Sequence, residues 1–76
     1  SDGKSTVALN MGLAAATMGQ RVLIVDADLY RSKLHTYARI TNEQGLSQYL
    51  TSDISVHHLI QQSPMEQNLF VLTAGK

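Results

Sequence analysis

Ser1-Asp2-Gly3-Lys4-Ser5-Thr6 opens the chain, and Val22-Leu23-Ile24-Val25-Asp26-Ala27-Asp28 follows one helix-length later. Gly3-Lys4-Ser5-Thr6 reads as the second half of a phosphate-binding loop, G-x-x-x-x-G-K-[ST], whose backbone N–H groups and lysine wrap phosphate oxygens. Four such residues alone are a weak signal. Followed by a helical pattern and then an apolar run ending in acid, they become a strong one, because a phosphate loop leaves by a helix whose N-terminus supplies oriented N–H groups. A loop of this kind is also delivered by a strand, which the reading places before Ser1. The expectation is therefore a partial P-loop nucleotide-binding domain over residues 1–76: a three-layer α/β fold with a mainly parallel sheet, only partly covered.

Length and composition agree. The 76 residues are about half of a common domain of ~150, while 43% hydrophobic and 16% charged residues are ordinary for a globular protein. Six basic and six acidic side chains balance to a formal charge of zero, without the basic footprint of a nucleic-acid binder. No apolar run approaches the ~20 residues that span a bilayer, so the reading expects a soluble piece without a transmembrane segment. Cysteine is absent, which excludes disulfides and thiolate metal sites.

Working outward from the loop, Ser5 to about Met18 predicts a helix. Val7, Met11, Ala14 or Ala15, and Met18 recur at spacings of three and four, with Gly19 as the C-terminal stop. Leu13 and Ala16 fall off that stripe, which suggests burial on more than one side, with the methionines as core filler. The alanines and Gly12 would let the helix lie close against a sheet. Val22 to Val25 is continuously apolar and predicts a strand covered on both faces. Beyond it the pattern predicts a loop and a short helix with Leu34, Tyr37 and Ile40 at helical spacing, then a turn over Thr41 to Gly45. A second short helix carries Leu46, Tyr49 and Leu50 inward. Ser52-Asp53 is a candidate cap for a third, with Val56, Leu59 and Ile60. Gln61 to Asn68 reads as a connection, and Leu69 to Leu72 as another strand.

The chemistry follows from the loop. Its lysine is a point charge for the terminal phosphates and the next hydroxyl a magnesium ligand. Those are Lys4 and Ser5, with Thr6 toward the innermost phosphate and Asp2 and Gly3 completing the nucleotide-binding stretch. Asp26 and Asp28, two apart at a strand end, would share a face in extended geometry and look toward the same phosphates across the crevice at the strands' carboxyl ends.

On these residues a family resemblance appears. G-K-S-T-V-A-L-N, V-L-I-V-D-A-D-L-Y-R-S-K-L-H, N-E-Q-G-L-S and N-L-F-V-L-T-A-G resemble the cytoplasmic kinase domain of the bacterial tyrosine kinases of capsule and exopolysaccharide synthesis, along nearly the whole chain. The resemblance implies an autophosphorylating, ATP-dependent protein-tyrosine kinase that regulates polymer assembly and export. By it, Lys4, Ser5 and Thr6 would hold ATP and Mg2+, Asp26 would organise the metal shell, and Asp28 would be the catalytic base, with Lys4 also catalytic. It further implies a membrane adaptor or chain-length regulator as partner, a homo-oligomer, protein tyrosine substrates, and a place at the cytoplasmic face of the bacterial inner membrane. The family most often has arginine where Tyr30 stands and proline where Ser32 stands, while the next arginine is retained as Arg31. Its later aspartate motif and C-terminal tyrosine cluster would follow Lys76.

Partition and septum-site ATPases share the fold and loop, but their strand-end motif commonly continues differently from the L-x-R-x-x-L-H seen here. A non-catalytic nucleotide-binding paralogue and a truncated, inactive product are the other readings, and the 76-residue piece alone is expected neither to fold stably nor to catalyse. His57 and His58, adjacent and so about 100° apart on a helix, are expected at the surface rather than on a metal. Tyr37 and Tyr49 fit apolar faces and are expected in the core rather than as phosphoacceptors. Tyr30 lies in the site loop, where a phenol could pack, hydrogen-bond or be modified. Arg31, Lys33 and Arg39 form a basic cluster expected to be a solvated face.

Overall fold

Largely apolar, alanine-rich sequence with no charged residue between Lys4 and Arg21 forms the longest element, helix α1 over Asp2–Thr17. The structure, a computed structural model, describes the backbone of residues 2–28 and 33–76 and the side chains of 8–28 and 33–76. Tyr30, Arg31 and Ser32 lie outside the described residues. The helix closes as expected at Gly19, whose N–H donates to Ala16 O (3.0 Å) while that of Gln20 donates to Ala15 O (3.2 Å), the double bond of a Schellman stop. Its start at Asp2 is three residues earlier than the sequence suggests.

The buried stripe of α1 differs from the expected one. Leu9, Gly12 and Ala16 are buried and Leu13 partly so, whereas Met11 and Met18 are 69% and 82% exposed. Both stripes obey helical spacing. In a segment apolar all round, periodicity fixes the element without fixing its phase, and the smaller residues face the sheet because they permit closer approach. Gly12 shows how close: a Cβ there would lie 2.7 Å from Ile24 Cδ1 and 3.2 Å from Val22 Cγ1.

Strand β1 spans Val22–Val25. After it come α2 at Leu34–Ala38, α3 at Leu46–Thr51, a single 3-10 turn at Val56–His58, β2 at Gln61–Gln62 and β3 at Leu69–Leu72. The sheet order is β1-β3-β2. Strands β1 and β3 are parallel, with Val22 opposite Leu69 and Val25 opposite Leu72, as a βαβ-type crossover requires. β2 runs antiparallel to β3. Sequence alone makes Gln61–Gln62 a connection, because a two-residue polar edge carries no alternation to detect.

One face of the sheet packs against α1 and α2. Leu9, Ala16, Leu34, Ala38, Leu69 and Val71 form the buried cluster, with Leu13, Val22, Ile24 and Ile40 against it. Leu23 and Val25 point the other way and are about half exposed, so β1 is covered on one face by the described residues and not on both. The predicted inward set of α3 is likewise corrected: Leu46 is partly buried, but Tyr49 (48%) and Leu50 are exposed. Tyr37 (40%) is exposed too. An aromatic ring at helical spacing satisfies the pattern on a helix of one or two turns without having a core to enter. The turn at Val56–His58 is capped by Ser55, whose Oγ accepts from His57 N–H at 3.4 Å, and not by Ser52-Asp53. Leu59 is buried beside it, and His57 and His58 are exposed.

Ser63 ties the layers together. It is buried, its Oγ donates to Ala38 O (3.0 Å) and accepts from Met65 N–H (3.2 Å), and its own N–H donates to Leu69 O (2.8 Å).

Candidate functional site

Strands β1 and β3 are parallel and in register, so their carboxyl ends share one edge, the edge where open α/β sheets bind ligands. The ladder runs one residue past β1: Asp26 N–H donates to Leu72 O at 2.9 Å. The Asp26 carboxylate then turns inward. It is 4% exposed; Oδ1 accepts from Asp28 N–H at 3.2 Å and Oδ2 from Leu34 N–H at 3.4 Å. A buried carboxylate needs such donors to offset desolvation. These two also do structural work: the first closes a local turn from Asp26 to Asp28, and the second caps the first N–H of α2, whose own N-cap, Lys33, makes no side-chain capping bond.

The turn corrects the extended geometry expected for the acidic pair. Asp26 is buried and Asp28 is exposed, so the carboxylates do not share an environment. The difference separates their capacities. Among the described residues two amide N–H groups engage the Asp26 carboxylate, one on each oxygen, and hold it still, suited to orienting a hydrated cation. Asp28 is accessible to an incoming group.

Helix α1 approaches the same edge. Its last turn is at the opposite end of the sheet, where Asn68 Nδ2 donates to Ala16 O at 3.2 Å just before β3, and Gly12 lies over Val22 and Ile24. Ten further residues toward the N-terminus advance ~15 Å, which carries the first turn of α1 past the strand ends. The side chains of Asp2, Lys4, Ser5 and Thr6, and Gly3 with them, are outside the described set, so their geometry toward Asp26 and Asp28 is not part of the structure. Among the described residues no group of three or more His, Cys, Asp or Glu is placed to hold a metal ion. The oxygen donors Asp26 and Asp28 nonetheless suit a hard cation that keeps several waters and takes its remaining ligands from phosphates.

Sequence reading missed a second structure at this edge. The Asn42–Ser47 loop is bound to the segment following β3. Leu46 N–H donates to Thr73 O (2.7 Å) and Ser47 N–H to Ala74 O (2.8 Å). Asn42 brackets Gly75, with Oδ1 accepting from its N–H at 2.8 Å and Nδ2 donating to its O at 3.2 Å. Thr73 Oγ1 donates to Gln44 O. Gln48 Oε1 accepts from Gly45 N–H at 2.8 Å while its Nε2 donates to Lys76 O at 3.0 Å. A signal was available: Gly45 with Gln48 three residues on is the glycine form of a capping box. Since Leu72, next to Thr73, holds the Asp26 backbone, this latch fixes the wall against which Asp26 sits.

Gly45 is required there by contact. A Cβ would press on Thr73 O and lie 2.6 Å from Thr73 Oγ1 and 2.7 Å from Gly75 N, mostly backbone that cannot move aside. In the full-length protein, Gly45→Ala is expected to cost about 1–3 kcal/mol, the usual penalty of overpacking, read as a lower urea midpoint at unchanged slope. A midpoint equal to that of the unsubstituted chain would show the latch to be dispensable.

With the fold and this edge described, the class is a mixed α/β domain segment built around a parallel strand pair with acidic strand-end chemistry. No family model matches the chain. Curated relatives do: it is 39% identical over 74 residues to the tyrosine-protein kinase YwqD of Bacillus subtilis, covering 97% of this chain and 31% of that protein. It is 35% identical over 74 residues to the tyrosine-protein kinase ptk of Acinetobacter johnsonii, covering 97% and 10%. Among solved structures, the kinase domain of the Escherichia coli tyrosine kinase ETK superposes with a TM-score of 0.89 at 34% identity, over 97% of this chain and 29% of that one. The chimerical protein CapA2B2 superposes at 0.84 and 37%, over 96% and 32%. Along nearly its whole length the chain is similar to a segment of bacterial tyrosine kinases, and it spans less than a third of the length of these curated relatives.

Proposed function

We propose that this chain forms the nucleotide-binding part of an ATP-dependent protein-tyrosine kinase that controls exopolysaccharide or capsule assembly. The observation that carries the reading is the division of labour at the carboxyl edge: Asp26 buried and immobilised by two amide N–H groups, Asp28 exposed two residues later, and the N-terminal turn of α1 directed at the same edge. Lys4 binds the terminal phosphates, Gly3 and the adjacent amides cradle them, Ser5 and Asp26 take the Mg2+ and its water shell, and Thr6 and Asp2 flank the nucleotide. A cation held there would supply positive charge against that developing on the phosphates. Asp26 supplies fixed negative charge and acceptor sites for coordinated water. Asp28 takes the proton of the incoming tyrosine hydroxyl. The names of the relatives support this activity, and the resemblance extends it to a homo-oligomer at the inner membrane face with an adaptor partner. Among the described residues no helix is long and apolar enough to cross a membrane.

The test separates base from metal shell. In the full-length kinase, Asp28→Asn is expected to lower phosphotyrosine formation about 10²–10⁴-fold, the usual worth of a positioned general base, while nucleotide affinity stays within about twofold on that same reasoning. If affinity collapses instead and transfer per bound nucleotide is unchanged, Asp28 holds the cation and the assigned roles exchange.

A further inference from the structure

Strand β3 outruns both of its neighbours. Its ladder with β1 ends where Asp26 N–H donates to Leu72 O at 2.9 Å, and β2 reaches no further than Val71. Thr73, Ala74 and Gly75 are nevertheless buried, the first two completely, and buried backbone groups need partners. The Asn42–Ser47 loop supplies them. Asn42 does so with its side chain, accepting from Gly75 N–H at 2.8 Å and donating to Gly75 O at 3.2 Å. An amide side chain carries both an acceptor and donors, so it reproduces on one residue the two-bond exchange of an antiparallel pair. Gly75 is fitted to that grip: its φ is 81°, and a Cβ there would press on Gln48 Oε1.

The grip reaches the acidic strand end through covalent geometry. The Leu72 carbonyl that holds Asp26 lies in one planar peptide unit with the Thr73 N–H, and that unit ends at Thr73 Cα. Leu46 N–H holds the Thr73 carbonyl at 2.7 Å, and the Thr73 hydroxyl donates to Gln44 O at 3.2 Å. Rotation of the chain at Thr73 would re-aim the Leu72 carbonyl and carry the Asp26 backbone with it. We propose that Asn42 is a positioning residue for the cation site: by fixing Gly75, and through it Thr73 and Leu72, it sets the place of the Asp26 carboxylate and so the affinity for hydrated Mg2+. The proposal deepens the kinase reading above and rests on it. Asn42 acts through Asp26 and not on the phosphates, so its loss is felt in the metal requirement before it is felt in nucleotide binding.

The experiment uses the full-length protein and two readouts. In the first, without nucleotide or Mg2+, amide hydrogen exchange is resolved to single residues. Asn42→Ala is expected to speed exchange at Asp26 and Leu46 about tenfold, the effect of one or two lost hydrogen bonds, while Val22, whose N–H is held at the far end of the same ladder by Asn68 O, keeps its rate. In the second, the Mg2+ concentration that half-saturates phosphorylation of a tyrosine peptide is expected to rise about tenfold, the lower end of what outer-shell partners of a metal contribute. The KM for ATP at saturating Mg2+, and kcat there, stay within about twofold. Asn42→Asp keeps the acceptor for Gly75 N–H and loses the donor to Gly75 O, so it falls between; it carries both comparisons if the alanine variant does not fold. An unchanged Mg2+ requirement overturns the proposal, whether or not Asp26 exchanges faster, and equal acceleration at Val22 overturns it by making Asn42 a general stabiliser. Absence of Mg2+-dependent phosphorylation by the unsubstituted protein overturns the kinase reading and this proposal with it.

Discussion

Lys4→Met is expected to lower ATP turnover by the full-length kinase about 10²–10³-fold, the loss seen when one pre-placed group facing transition-state charge is removed. On the proposed reading the lysine would bring a full positive charge to the terminal phosphates, where negative charge shifts during transfer, and methionine matches its length and flexibility without the charge. The loss is expected in turnover more than in nucleotide affinity, because the amides of the loop and the helix N-terminus still bind phosphate. Turnover and nucleotide affinity of the same preparation check both halves. Wild-type turnover in the variant would remove Lys4, and with it the phosphate loop, from the mechanism.

Asp26→Ala should damage the fold as well as the site. The substitution removes the acceptor for two amide N–H groups, those of Asp28 and Leu34, in a place where water cannot freely replace it. An unsatisfied buried donor costs about 1–3 kcal/mol, and both bonds are toward the long end of the accepted range, so about 2–4 kcal/mol in total is expected. Asp26→Asn recovers part of that, since its amide oxygen can accept from one N–H while its NH2 opposes the other. Asp28→Asn, on an exposed carboxylate whose backbone N–H keeps its Asp26 acceptor, should cost less than Asp26→Ala. Urea titrations of the three variants are expected to rank Asp26→Ala as the least stable, Asp26→Asn above it and Asp28→Asn above both. An Asp26→Ala protein as stable as the parent would mean that the turn and the α2 cap are incidental.

The elements legible in sequence are those whose signal is local. The stop at Gly19, the apolar runs at Val22–Val25 and Leu69–Leu72, and the short helix carrying Leu34 and Tyr37 each announce themselves within a few residues. The acidic strand end was legible as well, because only its position after β1 was needed. What sequence could not supply was direction. The phase of α1 is invisible in a segment with no charged residue to mark its outer side, so Met11 and Met18 appeared inward. Tyr37 and Tyr49 fit a helical stripe and still face solvent, since a stripe on so short a helix does not guarantee a partner. Asp26 and Asp28, expected to share a face, are separated by the turn that buries only the first. The latch of Asn42, Gly45 and Gln48 on Thr73 to Lys76 depends on contacts about 30 residues apart, for which a single sequence holds no pairing signal.

The bond from Asn68 to Ala16 joins residues 52 apart in sequence, and the neighbouring pairing of β1 with β3 is nearly as distant. On a ribosome adding about 5–20 residues per second, β1 therefore emerges several seconds before the strand that completes its ladder. During that interval α1 can form and settle on Val22 and Ile24, but the hydrogen-bonding edge that β3 will occupy stays open. Long-range parallel pairing of this sort is intrinsically slow, and a nascent apolar edge is a template for unwanted strand addition. A chaperone that engages the emerging polypeptide is accordingly expected to bind over Val22–Val25 and to be released once Leu69–Leu72 has left the exit tunnel.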